Sequence, residues 1–470
     1  MQRFANRRNA FGSTCLLLLL GLLSANGIAR AQIAIGMDMP VDEREAFSGF
    51  FPGDAGYWIG GSDGYIYDCW SEDNRAAEWG LFCRTYQSGK PLADPVQIVQ
   101  SFGADVFFPA GCSSTDGSLY LVWASSSRLF FSRSEDRGLS WIDPQRVDRG
   151  QASVVHSAEP RVACNGSNVF VAWEDSREGE NHVYFNASAD AGESWQEADV
   201  RIDQLAGEVE GYRYGPVAAA DVNGNVFISW VKNGHIYVGL SGNSGLSWGE
   251  EVQLDQLGVP DPASSRPSIS VTDNGNVYVA WTSGFGAMVL NRSDDFGASW
   301  LAAEQQISDP SAVLATWGTL TADQSGNVYG VWYYQPPDQP VLTVRFNHSA
   351  DGGVSWKAAD VLLGTTGVGF HPFTPHLSSD ESGRLYVIWL RYITGGLRHI
   401  YGNASFDYGE TWVGKDAGFQ MDSAPEETDI NAHEPFVACD QNGTGAATWI
   451  DRRDLQQTHL FINSFGAPLE

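Results

Sequence analysis

Eight short runs of β-branched and aromatic residues, each ending in tryptophan, recur along this chain. They are Tyr65–Trp70, Leu119–Trp123, Val169–Trp173, Val226–Trp230, Val277–Trp281, Val328–Trp332, Leu385–Trp389 and Gly445–Trp449. Their tryptophans are 53, 50, 57, 51, 51, 57 and 60 residues apart. A repeat of this length marks a tandem array of small supersecondary units that bury their apolar faces only against one another. Each run follows a turn such as Asp221-Val222-Asn223-Gly224-Asn225 or Asp273-Asn274-Gly275-Asn276, preceded by an extended segment that often contains proline. Two strands joined through Asn-Gly form a hairpin. A third strand follows each tryptophan, as in His182–Phe185 and His399–Tyr401.

Six units then carry a second signature, Ser-x-Asp-x-Gly-x-Ser/Thr-Trp. The copies are Ser134–Trp141, Ser188–Trp195, Ser241–Trp248, Ser293–Trp300, Ser349–Trp356 and Ser405–Trp412; the third has Asn243 in place of aspartate. A short acidic side chain caps backbone amides in the turn before strand four, glycine supplies a permissive backbone, and tryptophan packs between sheets. These are Asp boxes, and over about residues 57 to 465 the chain resembles the sialidase (BNR-repeat) superfamily. The resemblance implies an all-β fold, a β-propeller of four-stranded antiparallel blades. Counting tryptophan runs gives eight blades, or seven if the degenerate first unit does not form one. The last unit stops after its third strand, His459–Asn463, and Gln32–Met37 is the segment expected to supply its missing outer strand and close the ring.

Ahead of that segment, Arg3, Arg7 and Arg8 precede a leucine-rich run, Cys15–Leu23, and Ala29-Arg30-Ala31 has the small-x-small form of a cleavage site. Residues 1–31 thus read as a secretory signal peptide and residues 32–470 as a single propeller domain, exported and without a membrane anchor. The signal region holds four of the 28 basic residues and no acidic one, so the mature balance is 24 − 57 = −33. Such a surface repels nucleic acid and anionic lipid. Export makes disulfides available. Cys69 and Cys83 fall opposite each other on strands two and three of the first unit and are expected to pair. Cys112 and Cys164 lie in neighbouring units and are a second candidate pair, while Cys439 reads as a small buried residue. No Cys-x-x-Cys spacing occurs, and the Asp-x-Asn-Gly turns lack the glutamate of a calcium loop, so neither metal nor cofactor is expected.

The loops leading into strand one and out of strand two gather on one face around the propeller axis, where ligands are expected. They carry Arg161, Arg213, Arg266, Trp317, His371 and His433 as candidate substrate-binding residues. Arginine forks hold carboxylates, and the sialidase resemblance implies an acidic sugar there. It also implies a tyrosine nucleophile, a glutamate activating it and an aspartate acid/base; Tyr212, Glu434 and Asp105 are the candidates. The family's first arginine motif meets Tyr57-Trp58-Ile59-Gly60 here, without arginine, and its nearest match is Tyr212-Arg213-Tyr214-Gly215-Pro216 in the fourth unit. The expected function is carbohydrate or glycoconjugate binding at the axial funnel, with exo-acting sialidase-type hydrolysis as its enzymatic form. A non-catalytic glycan- or protein-binding scaffold and a uronate-specific polysaccharide lyase are the alternatives. The sequons at Asn186, Asn291, Asn347 and Asn403 arise only because the Asp box supplies their serine.

Overall fold

The computed structural model describes residues 39–40, 57–62, 64–73, 78–88, 90–102, 106–150, 159–205, 207, 209–210, 215–255, 264–337, 341–367, 375–393, 397–425, 428, 432–440, 443–451 and 459–465. These residues form strands and turns only. Seven four-stranded antiparallel sheets and one five-stranded sheet follow each other along the chain. Numbered in chain order as blades 1 to 8, they have inner strands Tyr57–Ser62, Phe107–Ser113, Arg161–Asn165, Val217–Ala220, Ser265–Val271, Leu314–Ala322, His376–Ser379 and His433–Cys439. Each inner strand lies against that of the next blade, and Tyr57–Ser62 lies against both Phe107–Ser113 and His433–Cys439. The ring is therefore closed and the degenerate first unit is a blade. It departs from the expected four strands, because Lys90–Pro91 and Val96–Phe102 both pair with Glu78–Gln87.

The repeated tryptophans close the seams. Trp173 shares a core cluster with Val122 and Ala124 of the preceding blade, Trp230 with Ala172 and Phe185, and Trp389 with Val331 and Val344. All eight are at most 2 % exposed. Trimming one such side chain to alanine costs about 3–5 kcal/mol, so each seam is a substantial part of the fold's stability.

The Asp-box turns share one hydrogen-bond pattern. In blade 2 the Ser134 hydroxyl donates to Asp136 Oδ1 at 2.8 Å and accepts the Gly138 amide at 2.7 Å. Asp136 Oδ1 then accepts the Ser140 amide at 2.8 Å. Asn243 reproduces this set in blade 4 through its carbonyl oxygen. Hydroxyl and amide donors hold the carboxylates low; in Asp351 the Ser355 hydroxyl leads in bringing it to about 2. Gly192 and Gly245 have φ of 86° and 78° and lie on Phe131 and Phe185 of the preceding blades, where a Cβ would come within 2.1 Å of the ring. Only glycine meets both demands. The box tryptophans finish the contact, Trp195 edge-on to Phe131 at 5.1 Å and Trp248 to Phe185 at 4.8 Å.

Closure is made by Met39–Pro40, antiparallel to His459–Phe465 with Met39 opposite Ile462. The expected segment, Gln32–Met37, lies outside the described residues, and the pairing strand begins two residues beyond it. Register explains the position. In blade 3, Val200 and Arg201 face Phe185 and Tyr184, the fourth and third residues of strand three. Met39 and Pro40 face the same two places of the last blade. Cys69 is bonded to Cys83, and Cys112 to Cys164 across the seam between blades 2 and 3. Cys439 is buried and unbridged, its sulfur 3.1 Å from the Ser378 hydroxyl.

Candidate functional site

Every hairpin leaves its second strand at the end of the sheet where its inner strand begins, and the Asp-box turns occupy the other end. One face of the ring, the axial face, thus collects the segments before strand one and after strand two. On it the inner strands of blades 2, 5, 6 and 8 share a device. Phe107 pairs with Ala124 and the next pair is Ala110 with Val122; Ser265–Thr282 is followed by Ser268–Ala280, Thr316–Tyr333 by Thr319–Val331, and His433–Ile450 by Phe436–Thr448. Each inner strand holds one extra residue beside the tryptophan of its hairpin, which is a β-bulge. Bulges re-aim side chains and gather at sites. Phe108, Arg266 and Trp317 occupy the first bulge position with φ of 52°, 58° and 57°. Left-handed backbone in such bulky residues costs about 1 kcal/mol or more and persists where packing enforces it.

Two of these residues come together. The Arg266 guanidinium lies 3.7 Å from the centre of the Trp317 ring, so blade 5 stacks its cation on the aromatic of blade 6. The Trp317 amide donates to Thr282 Oγ1 at 3.1 Å, and that hydroxyl lies 3.3 Å from Thr316 Oγ1. The backbone of blade 6 is thereby pinned to blade 5 at the stack.

Arg161 is placed differently. It faces Ala172, one residue before Trp173, two positions further along its strand than Arg266 is along its own. Its guanidinium donates to Glu159 at 3.2 Å and to the Pro160 carbonyl at 3.1 Å. Arg161 and Arg266 thus do not share a register. Arg213, Tyr212, Asp105 and His371 lie outside the described residues. His433 and Glu434 are in the inner strand of blade 8, with Glu434 in the bulge at the position of Arg266 and Trp317. His376 takes the register of Arg161 in blade 7, and its ring lies tilted against Phe436 with centres 4.0 Å apart. Burial lowers its imidazole to about 4, so it is neutral at physiological pH.

Glu174 was not a sequence candidate on its own. It follows Trp173, is fully buried, and neither carboxyl oxygen has a hydrogen-bond partner. Burial, together with the nearby Glu159 and opposed by Arg161, raises it to about 8. A neutral acid therefore adjoins the Glu159–Arg161 salt bridge. An apolar run with one carboxylate after the blade tryptophan was its only sequence signal. The neighbouring Trp-x-Asp-x-Arg pattern is a brace: Arg177 donates to Asp175 and, at 2.8 Å, to Asp199, while Trp173 Nε1 donates to Asp175 at 3.3 Å. The same order in Trp449-Ile450-Asp451-Arg452-Arg453 runs past the described residues. Among the described residues no group of three or more His, Cys, Asp or Glu side chains is arranged to hold a metal ion, and no helix is long and apolar enough to cross a membrane.

No family model matches the sequence, and no curated protein matches it. Solved structures do. The WD40 domain of SCAP from fission yeast has a TM-score of 0.50 at 9 % identity, over 92 % of this chain and 98 % of that one. The NanB sialidase of Streptococcus pneumoniae has 0.40 at 11 %, over 86 % and 83 %, and an α-L-arabinanase of Penicillium chrysogenum 0.40 at 15 %, over 65 % and 94 %. At these identities the likeness is one of fold, and it lies with β-propellers.

Proposed function

We propose that this β-propeller is an exported protein that binds carbohydrate or glycoconjugate at its axial face. The observation that carries the reading is the Arg266–Trp317 stack, built on two bulges and pinned across a blade seam. Stacking on the indole fixes the plane of the guanidinium, and a planar fork so held suits a sugar carboxylate. In a chain of net charge −29, a cation fixed at the axial face favours an acidic sugar over the acidic surface around it. The two disulfides suit an oxidising compartment.

The enzymatic form of this reading is exo-acting hydrolysis of a sialoside. Arg213 and Arg266 would hold the carboxylate, Tyr212 would attack the anomeric carbon with Glu434 as its base, and Asp105 would protonate the leaving oxygen. The site separates binder from enzyme in two assays. A glycan array identifies acidic ligands whose signal falls in Trp317→Ala. Release of a fluorogenic sialoside, lost in Arg213→Ala and in Arg266→Ala, then establishes hydrolysis. Retained array binding with no turnover leaves a binding module. Unsaturated-uronate absorbance would instead establish a lyase, and loss of no signal in Trp317→Ala would remove the axial site from the account.

A further inference from the structure

We propose that the seam between blades 5 and 6 is a second subsite, continuous with Arg266 and Trp317, that takes an apolar or aromatic aglycone. It rests on the carbohydrate reading above and adds the chemistry of the unit next to the sugar.

Blade 6 rises further over the axial face than blade 5. Its hairpin pairs Leu314 with Gln335, Ala315 with Tyr334 and Thr316 with Tyr333 before the bulge, whereas blade 5 has only Ser265 with Thr282. The turn that follows strand two of blade 5 leans on this extension. The turn closes with the Gly286 amide donating to the Ser283 carbonyl at 2.8 Å, and the Gly286 carbonyl accepts the Ala315 amide at 2.5 Å. Gly286 sits so close to Leu314 that a Cβ would come within 2.7 Å of its Cδ1. Two apolar side chains flank this contact: Phe285, 66 % exposed, and Val313, 56 % exposed.

Exposed apolar residues also occur on the opposite face, at Leu139, Leu246 and Val354, but each belongs to a different Asp-box turn. Phe285, in the blade 5 turn, and Val313, at the start of the blade 6 extension that carries Trp317, instead flank in sequence the Gly286–Leu314 contact between two blades. From Val313 to Trp317 is four residues, about 13 Å of strand and less across the bulge, the length of two linked rings. A ligand whose acidic ring meets Arg266 and Trp317 therefore reaches Phe285 and Val313 with its second unit. Their side chains have no polar atom, so they match no sugar hydroxyl, and an apolar ring is the unit they complement.

Calorimetry with the methyl and 4-methylumbelliferyl glycosides of one acidic sugar, sialate or glucuronate, tests this. Burial of the aryl group should make the second about tenfold tighter. Phe285→Ala and Val313→Ser, both at exposed positions, should erase the difference and leave the affinity for the methyl glycoside intact. Equal affinities in the natural protein, or an aryl advantage that survives Phe285→Ala, contradict the subsite alone. Tighter binding of a disaccharide than of the aryl glycoside assigns the seam to a second sugar and also contradicts it. Binding of neither glycoside contradicts the carbohydrate reading as well.

Discussion

Arg266 and Trp317 hold the same register on neighbouring inner strands, both with left-handed backbone, and the guanidinium of one covers the ring of the other at 3.7 Å. Neither is close to the other in sequence. The repeat makes them neighbours, because one position in each blade returns at the same height around the axis.

That arrangement predicts unequal effects of substitution. Trp317→Ala removes the ring that fixes the guanidinium and should weaken binding of an acidic glycan about ten- to hundredfold. Arg266→Lys keeps the charge but loses the stacked planar fork, and should weaken the same ligand several-fold. Calorimetric titration of both variants, with circular dichroism as the folding control, checks the order.

Glu174 predicts an inverted pH dependence of stability. Its carboxyl is raised to about 8 when folded, against 4.5 when unfolded. Between those values the unfolded chain releases the proton and the folded chain keeps it, so the residue lowers stability as pH rises through that window. Glu174→Gln should therefore raise Tm at pH 8 by about 2–5 °C and leave it nearly unchanged at pH 4.5. Paired thermal melts at the two pH values measure it. His376 acts in the opposite sense: its imidazole, lowered by burial to about 4, removes stability as pH falls from 6.5.

The Cys112–Cys164 bridge joins two inner strands and closes a loop of 52 residues. Replacing both cysteines with alanine should cost about 2–4 kcal/mol, seen as a lower midpoint in urea. The Cys69–Cys83 bridge lies within one blade, so its loss should leave the seam between blades 2 and 3 intact.

The sequons predict an absence of modification. Asn347 and Asn403 are at most 2 % exposed. Asn403 Nδ2 donates to Leu363 of the preceding blade at 3.2 Å and to Lys415 at 2.8 Å. Asn347 makes the matching bonds to Ile307 and Lys357. The folded protein should carry no glycan at either position by mass spectrometry after secretion from a glycosylating host. Asn403→Ala should cost about 1–3 kcal/mol by leaving those buried carbonyls unpaired.

The blades were legible because tryptophan spacing and the Asp box are local patterns that repeat, and seam packing forces both. The disulfide between Cys69 and Cys83 followed from their facing positions in one hairpin, Cys69 opposite Cys83. Closure by a segment from the start of the chain was legible; the expected residues, Gln32–Met37, lie outside the described ones, and the described pairing is made by Met39–Pro40. A better guide was present: Met39-Pro40-Val41-Asp42 repeats the order of Val200-Arg201-Ile202-Asp203 and Phe419-Gln420-Met421-Asp422. In those two blades the aspartate binds a histidine of strand three, His182 at 2.7 Å and His399 at 3.0 Å. The site was less legible. Arg161 follows Pro160 whereas Arg266 precedes Pro267, an offset visible in the sequence, but nothing there signals the bulges, which depend on pairing across strands. Glu174 and Phe285 stood out only through burial in one case and exposure in the other.

The central claim is that the axial face, and not the Asp-box face, receives a glycan. Hydrogen–deuterium exchange with and without the acidic glycan selected on the array tests it most directly. The account predicts slower exchange in 264–268, 282–288 and 313–319, with the Asp-box turns 136–141, 243–248 and 351–356 unchanged. Protection of those turns, with none at the three axial segments, would contradict it.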